Sequence, residues 1–210
     1  MALTIPLPRV PAEHVPAEHV PAEHSAPVAP SAPWGSWYEH VLGWAVAGGP
    51  PVQLVTGVRF DVLELPADAG TAVLRRRVAT GPVAVMGRRM RFLVAPGGAE
   101  ELAGLLDWLE WGGVALDLTA LGTDGRITAP VPPGYPAGPD AEGVPRGAAV
   151  WLRPPEPGCE ASLPALPGTG QGLGPVTGDG ADLVRLVAAA ATECHRARLR
   201  RRTPQPLAFS

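Results

Sequence analysis

Proline sets the first limit on what this chain can fold into. Each proline removes a backbone donor and biases the residue before it away from helix, and the sequence holds 27 Pro and 26 Gly in 210 residues. An excess of that size predicts long loops and unstructured segments rather than a larger core. It shows at once in residues 1–33, where Val-Pro-Ala-Glu-His occurs three times in succession, at 10–14, 15–19 and 20–24, ahead of Ser-Ala-Pro-Val-Ala-Pro-Ser-Ala-Pro. A five-residue period matches neither helix nor strand, so this tail is expected to be disordered and partly polyproline-like. His14, His19 and His24, each beside a glutamate, suggest a metal-binding reading; a solvated repeat expanded by replication slippage is the simpler one.

The remaining length suits one domain over residues 34–202 with a short C-terminal tail at 203–210, and 46% hydrophobic residues suffice for its core. Every basic residue is arginine, the mark of a GC-rich coding genome, so composition is a weak guide to function. A net charge of −3 argues against nucleic-acid binding over the whole surface and leaves only a local contact. Two cysteines, Cys159 and Cys194, are too few for a disulfide framework and are expected as unpaired thiols in a reducing cytoplasm. No leader-like start and no bilayer-length apolar run is present, so a cytoplasmic protein with no membrane partner is expected.

Ser36, with Trp37, Val41 and Trp44 behind it, predicts a capped helix that Gly48-Gly49-Pro50-Pro51 ends. Strands are expected at Val52–Thr56 and Val58–Leu65, and Pro66 breaks the second. Asp68 then caps a helix to about Val78, with Val73 and Leu74 inward, and Val83–Met86 and Met90–Ala95 form a hairpin about Gly87-Arg88. Leu102, Leu105, Leu106 and Leu109 mark a helix from Pro96-Gly97-Gly98 to Gly112-Gly113. Strands follow at Val114–Thr119, Ile127–Ala129 and Ala148–Leu152, with Pro/Gly-rich loops at 130–147 and 153–180, before a last helix from Ala181 to Arg201. Strands outnumber helices without alternating strictly with them, which predicts an α+β domain: a small mixed or antiparallel sheet packed with helices.

No familiar catalytic set is complete. Gly-x-Ser-x-Gly is absent, no lysine exists for a Walker-type loop, and Gly168 to Gly174 only imitates a phosphate loop because no strand precedes it. Cys194 and His195, beside several arginines, read as surface residues of the last helix. What remains is a set of acids expected on strands: Asp61, Glu64 and Asp117. Carboxylates on adjacent strands are how two-metal nucleotidyl transfer holds its ions. Asp61 and Glu64, however, are three apart and point to opposite faces of a regular strand, so only a bulge would aim both at one ion.

The order of these segments resembles the bifunctional DNA primase/polymerase (prim-pol) domain across about residues 36–152. Pro51-Val52-Gln53-Leu54-Val55-Thr56-Gly57, an acid-bearing strand and the Pro66–Gly70 turn resemble that family's first motif. Ala115-Leu116-Asp117-Leu118-Thr119 with Gly125-Arg126-Ile127-Thr128-Ala129-Pro130-Val131-Pro132-Pro133 resembles its third, and Val150-Trp151 its closing aromatic strand. The resemblance implies a metal-dependent nucleotidyltransferase ancestry, with Mg²⁺ or Mn²⁺ if the site is active. The departures imply a degenerate site. Placing Glu64 as the first motif's first aspartate puts the second on Pro66, and placing Asp61 there puts it on Leu63. The family's middle histidine has no counterpart in Met86 to Phe92, and no zinc insertion is present. Asp117 alone survives as a metal ligand, and one carboxylate does not hold two Mg²⁺ ions.

Arginines supply the other candidate chemistry. Arg88, Arg89 and Arg91 fall on the hairpin and Arg75, Arg76 and Arg77 on the preceding helix, and guanidinium forks suit phosphate, although solvated faces are the plainer account. Five more arginines lie between Arg196 and Arg202, where positive charge also favours a helix end. Three functions follow as expectations. The first is a catalytically degenerate prim-pol-like domain acting as a binding or regulatory module, for nucleotide or single-stranded nucleic acid, with Arg89, Arg91 and Asp117 lining its site. The second is an active nucleotidyltransferase using Asp61, Glu64 and Asp117. The third is a protein-interaction scaffold in which Trp34, Trp37, Trp44, Trp108, Trp111 and Trp151 include an exposed anchor.

Overall fold

A computed structural model describes residues 34–135, 148–166 and 183–202. The expectations for the tails 1–33 and 203–210, the repeat histidines, the loop core 136–147 and the Gly168–Gly174 segment lie outside the described residues. Within them the chain is α+β. In order come helix α1 (Gly35–Trp37, continuing as a π-helical turn Tyr38–Leu42), β1 (Val46–Ala47), β2 (Gln53–Val55), β3 (Asp61–Pro66), α2 (Ala67–Leu74), β4 (Val83–Met86) and β5 (Arg89–Val94). After these follow α3 (Leu102–Trp108), β6 (Thr119–Leu121), β7 (Arg126–Thr128), β8 (Val150–Arg153), a 3-10 turn (Cys159–Ser162) and α4 (Leu183–Arg202).

The strands divide between two antiparallel sheets instead of forming one. Five make the main sheet, in the order β6-β3-β5-β4-β8, and β1-β2-β7 make a smaller one. β3 lies inside the main sheet, between β6 and β5, and its Val62, Leu63 and Leu65 are all buried, the pattern of a strand covered on both faces. Leu63 and Leu65 point to the helical side, where they join Met90, Phe92 and Val94 of β5, Ala69 and Val73 of α2, and Leu186, Val187 and Ala190 of α4. Val62 and Leu93 point the other way, against Phe60, Tyr38, Trp44, and the small sheet's Leu54 and Ile127. Full burial of a side chain such as Phe92 or Leu65 contributes about 1.5–3 kcal/mol.

Several boundaries differ from the sequence reading. Ser36 lies inside α1, whose N-cap is Trp34, and the helix ends at left-handed Gly43, φ 66°, so that Trp44 leaves it and Val46–Ala47 is free to pair with β2. Pro66 does not break its strand early but is its last paired residue, opposite Arg89. Asp68 sits in the first turn of α2 and accepts from Ala69 N at 2.9 Å, while Pro66 takes the cap position. The hairpin is as expected, with Gly87 at φ 56° starting its two-residue turn. No helix among the described residues is long and apolar enough to cross a membrane.

Candidate functional site

The antiparallel register of β3 and β5 sets Glu64 directly opposite Arg91 and Pro66 opposite Arg89. Both arginines share a face with Glu64, the one turned away from the helices, because alternate residues of a strand point the same way. Arg91 Nε donates to Glu64 Oε2 at 2.7 Å and Arg89 Nε to Glu64 Oε1 at 3.0 Å, so each carboxylate oxygen has its own guanidinium. Arg89 then reaches past the strand, and its Nη1 donates to Asp117 Oδ1 at 2.6 Å. The other oxygen of Asp117 lies 4.0 Å from Arg201 of α4, which also approaches Asp68 at 3.7 Å. The result is a continuous chain of alternating charge running from Arg91 through Glu64, Arg89, Asp117 and Arg201 to Asp68.

Burial opposes ionisation of Glu64, yet hydrogen bonding and charge from Arg91 and then Arg89 outweigh it and hold the carboxyl below the ordinary glutamate range. Arg89 is likewise held above its ordinary value: burial works against its charge, and bonding to Asp117 and Glu64 overcomes this. The members are not equally fixed. The side chain of Glu64 is 18% exposed and that of Asp117 50%, so Asp117 is the acid that solvent or a ligand can reach. An exposed pair of that kind contributes only about 0.2–1 kcal/mol.

Asp117 is not on a strand. Residues 114–118 follow an irregular course with a bend at Asp117, and pairing with β3 begins only at Thr119, opposite Glu64. Arg88 stands exposed at the hairpin turn, where its backbone oxygen accepts from Ala67 N at 2.8 Å. Of the three arginines after α2, Arg76 is turned inward onto buried Glu193 of α4, which Arg196 also reaches at 3.0 Å; Arg75 and Arg77 are exposed. Cys194, expected at the surface, is buried, and its Sγ lies 3.6 Å from Asp117 O; His195 is half-buried against Trp111. Both cysteines are free.

Asp61 is held apart from this cluster. It points to the helical face, wholly buried, where Oδ2 accepts from Ala99 N at 3.0 Å and Oδ1 has no hydrogen-bond partner. Burial pushes its carboxyl above the ordinary aspartate range, and the nearby carboxylate of Glu100 adds to that. The opposed directions of Asp61 and Glu64 were legible from the strand pleat; the roles of Glu193, Glu100, Arg201 and Asp68 were not, because nothing local marks them.

The residues present do not fit a two-metal centre. Such a site needs carboxylates converging on ions about 4 Å apart. Here both oxygens of Glu64 are occupied by guanidinium groups, Asp117 is joined to it through Arg89, and Asp61 faces away. Among the described residues no group of three His, Cys, Asp or Glu side chains is arranged to hold a metal. Of the six tryptophans, Trp34 and Trp44 are buried, Trp37, Trp111 and Trp151 half-buried, and Trp108 is 72% exposed. No family model matches this chain, and neither a curated protein nor a solved structure does.

Proposed function

We propose that this protein is a catalytically degenerate prim-pol-like domain that works in the cytoplasm as a binding module for nucleotide or single-stranded nucleic acid. The observation that carries this reading is the single guanidinium of Arg89 bonded to both Glu64 and Asp117. Two acids brought together need positive charge between them, and arginine supplies it in place of an ion. With Arg88 beside the cluster, four arginines (Arg88, Arg89, Arg91, Arg201) face three acids (Glu64, Asp117, Asp68), which leaves positive charge for a phosphate. A phosphate would take the place of half-exposed Asp117 on Arg89, at the small cost of one exposed ion pair, while Glu64 stays bound.

Fluorescence-anisotropy titration of the full chain with labelled single-stranded DNA, and with a nucleoside triphosphate as competitor, tests this. Binding is expected without Mg²⁺ or Mn²⁺, weaker as salt rises, reduced by Arg89→Ala and strengthened by Asp117→Asn. Metal-dependent primer extension abolished by Asp117→Ala would overturn the proposal and restore a nucleotidyltransferase using Asp61, Glu64 and Asp117. Absence of binding would leave the protein-interaction scaffold, a second reading that the exposure of Trp108 favours.

A further inference from the structure

From Gly98 to Gly125 the sequence carries acids and no lysine, arginine or histidine, and α3 lies within this stretch. The exposed side of α3 and its C-terminal end present Trp108, 72% exposed, with Asp107 and Glu110 beside it, both also exposed. Tryptophan is among the residue types that most often anchor an interface.

The end of α4 presents the complement. Arg196, Leu199 and Arg200, at steps of three and four residues, form one exposed stripe in which Leu199 is 49% exposed and flanked by arginines. The two stripes lie on helices that pack together. α3 packs on α4, the Trp111 ring lies against His195 with centroids 5.6 Å apart, and Arg198 Nη1 donates to Ala115 O. Leu199 follows His195 by one helical turn, so it continues the face on which Trp111 rests.

We propose that this surface pairs two copies of the chain about a two-fold axis, α3 of one against the end of α4 of the other. An acid–tryptophan–acid stripe beside an arginine–leucine–arginine stripe is self-complementary under that operation: each copy offers what the other needs, and every contact occurs twice. Trp108 covers Leu199 of the second copy, and Glu110 meets Arg200. A nucleic-acid strand does not suit the same face, since its acidic half repels phosphate. The interface uses other residues than the arginine cluster, although Arg200 adjoins Arg201 on α4, and sedimentation reads it independently of the nucleic-acid titration.

Sedimentation equilibrium of the full chain at a series of micromolar concentrations tests the pairing. A monomer–dimer equilibrium is expected, weakened about tenfold or more by Trp108→Glu and by Leu199→Glu, both of which alter exposed side chains and leave the core intact. Glu110→Arg and Arg200→Glu should each weaken it, and together restore it. A monomer at every concentration overturns the proposal, as does a dimer indifferent to both apolar substitutions, or a charge swap that fails to recover. A monomer whose tryptophan emission shifts on addition of an arginine-rich peptide also overturns it, and assigns the face to a basic partner.

Discussion

Asp61, at the buried head of β3, has the carboxylate of Glu100 as its side-chain neighbour, across the turn that precedes α3. Two carboxyl groups in contact are stable when one keeps its proton, and the two are pushed in opposite directions. Burial raises Asp61, whereas Glu100, bonded by its own backbone N–H and by Thr123, is held below its ordinary value. Of the two, Asp61 is the group more ready to take up a proton, and a proton there would make its free oxygen a donor toward Glu100.

Stability follows from that linkage. A group whose folded-state pKa is raised contributes stability in full below its unfolded value, and that contribution is lost as pH rises through the folded one. Urea unfolding at a series of pH values from the acid range upward should show this loss above the ordinary aspartate range. Asp61→Asn keeps an acceptor for Ala99 N and supplies a permanent donor toward Glu100, so its stability should be flatter with pH and higher than wild type at alkaline pH. An unchanged pH slope in the Asn variant would show that Asp61 is not the titrating group.

Glu193 should be the most sensitive polar residue of the helical layer. It is only 4% exposed and ion-paired to Arg76, just after α2, and to Arg196 one turn on, so it ties the end of α2 to α4. Glu193→Ala is expected to cost about 1–3 kcal/mol, because Arg76 is left half-buried without its acid. Glu193→Gln, which keeps an acceptor, should cost less. Equal losses in urea denaturation would mean that packing, not charge, dominates there.

The two thiols should be slow toward electrophiles. Burial pushes the Cys194 thiol up to about 12, and Asp117 adds to the shift; Cys159, half-buried, is raised by burial and by Glu160. Since the thiolate is the reactive species, a disulfide reagent at mildly alkaline pH should leave Cys194 unmodified in folded protein and label it after unfolding. Rapid labelling of both sites in the folded state would contradict the burial of the α4 face.

Gly70 marks a close approach of α2 to β5: a Cβ there would lie 2.9 Å from the Cβ of Met90. Alanine improves intrinsic helix propensity by about 1 kcal/mol, whereas overpacking typically costs about 1–3 kcal/mol. Gly70→Ala should therefore destabilise on balance, and Met90→Ala in the same chain should relieve part of the clash. A Gly70→Ala variant with a raised Tm would show that Met90 moves aside freely.

Much of the α+β domain was legible in the sequence because its signals are local. The hairpin of β4 and β5 followed from a glycine between two apolar runs, and α4 from Leu183, Leu186, Val187 and Ala190 at helical spacing, all four of which are buried. The pleat alone predicted that Asp61 and Glu64 diverge. What only tertiary structure decided are relations between distant segments. Val-Ala-Leu-Asp-Leu at 114–118 alternates as a strand should, yet the residues that reach β3 are Thr119–Leu121, so Asp117 falls on a bend within range of Arg89. Whether Trp108 faces the core or the solvent is likewise undecided by its spacing, since the choice depends on which side of α3 packs on α4. Backbone propensity and periodicity act over a few residues. The charge chain from Arg91 to Asp68 and the inward turn of Arg76 arise only once β3, β5 and α4 are packed together, because a salt bridge depends on spatial distance and not on spacing along the chain.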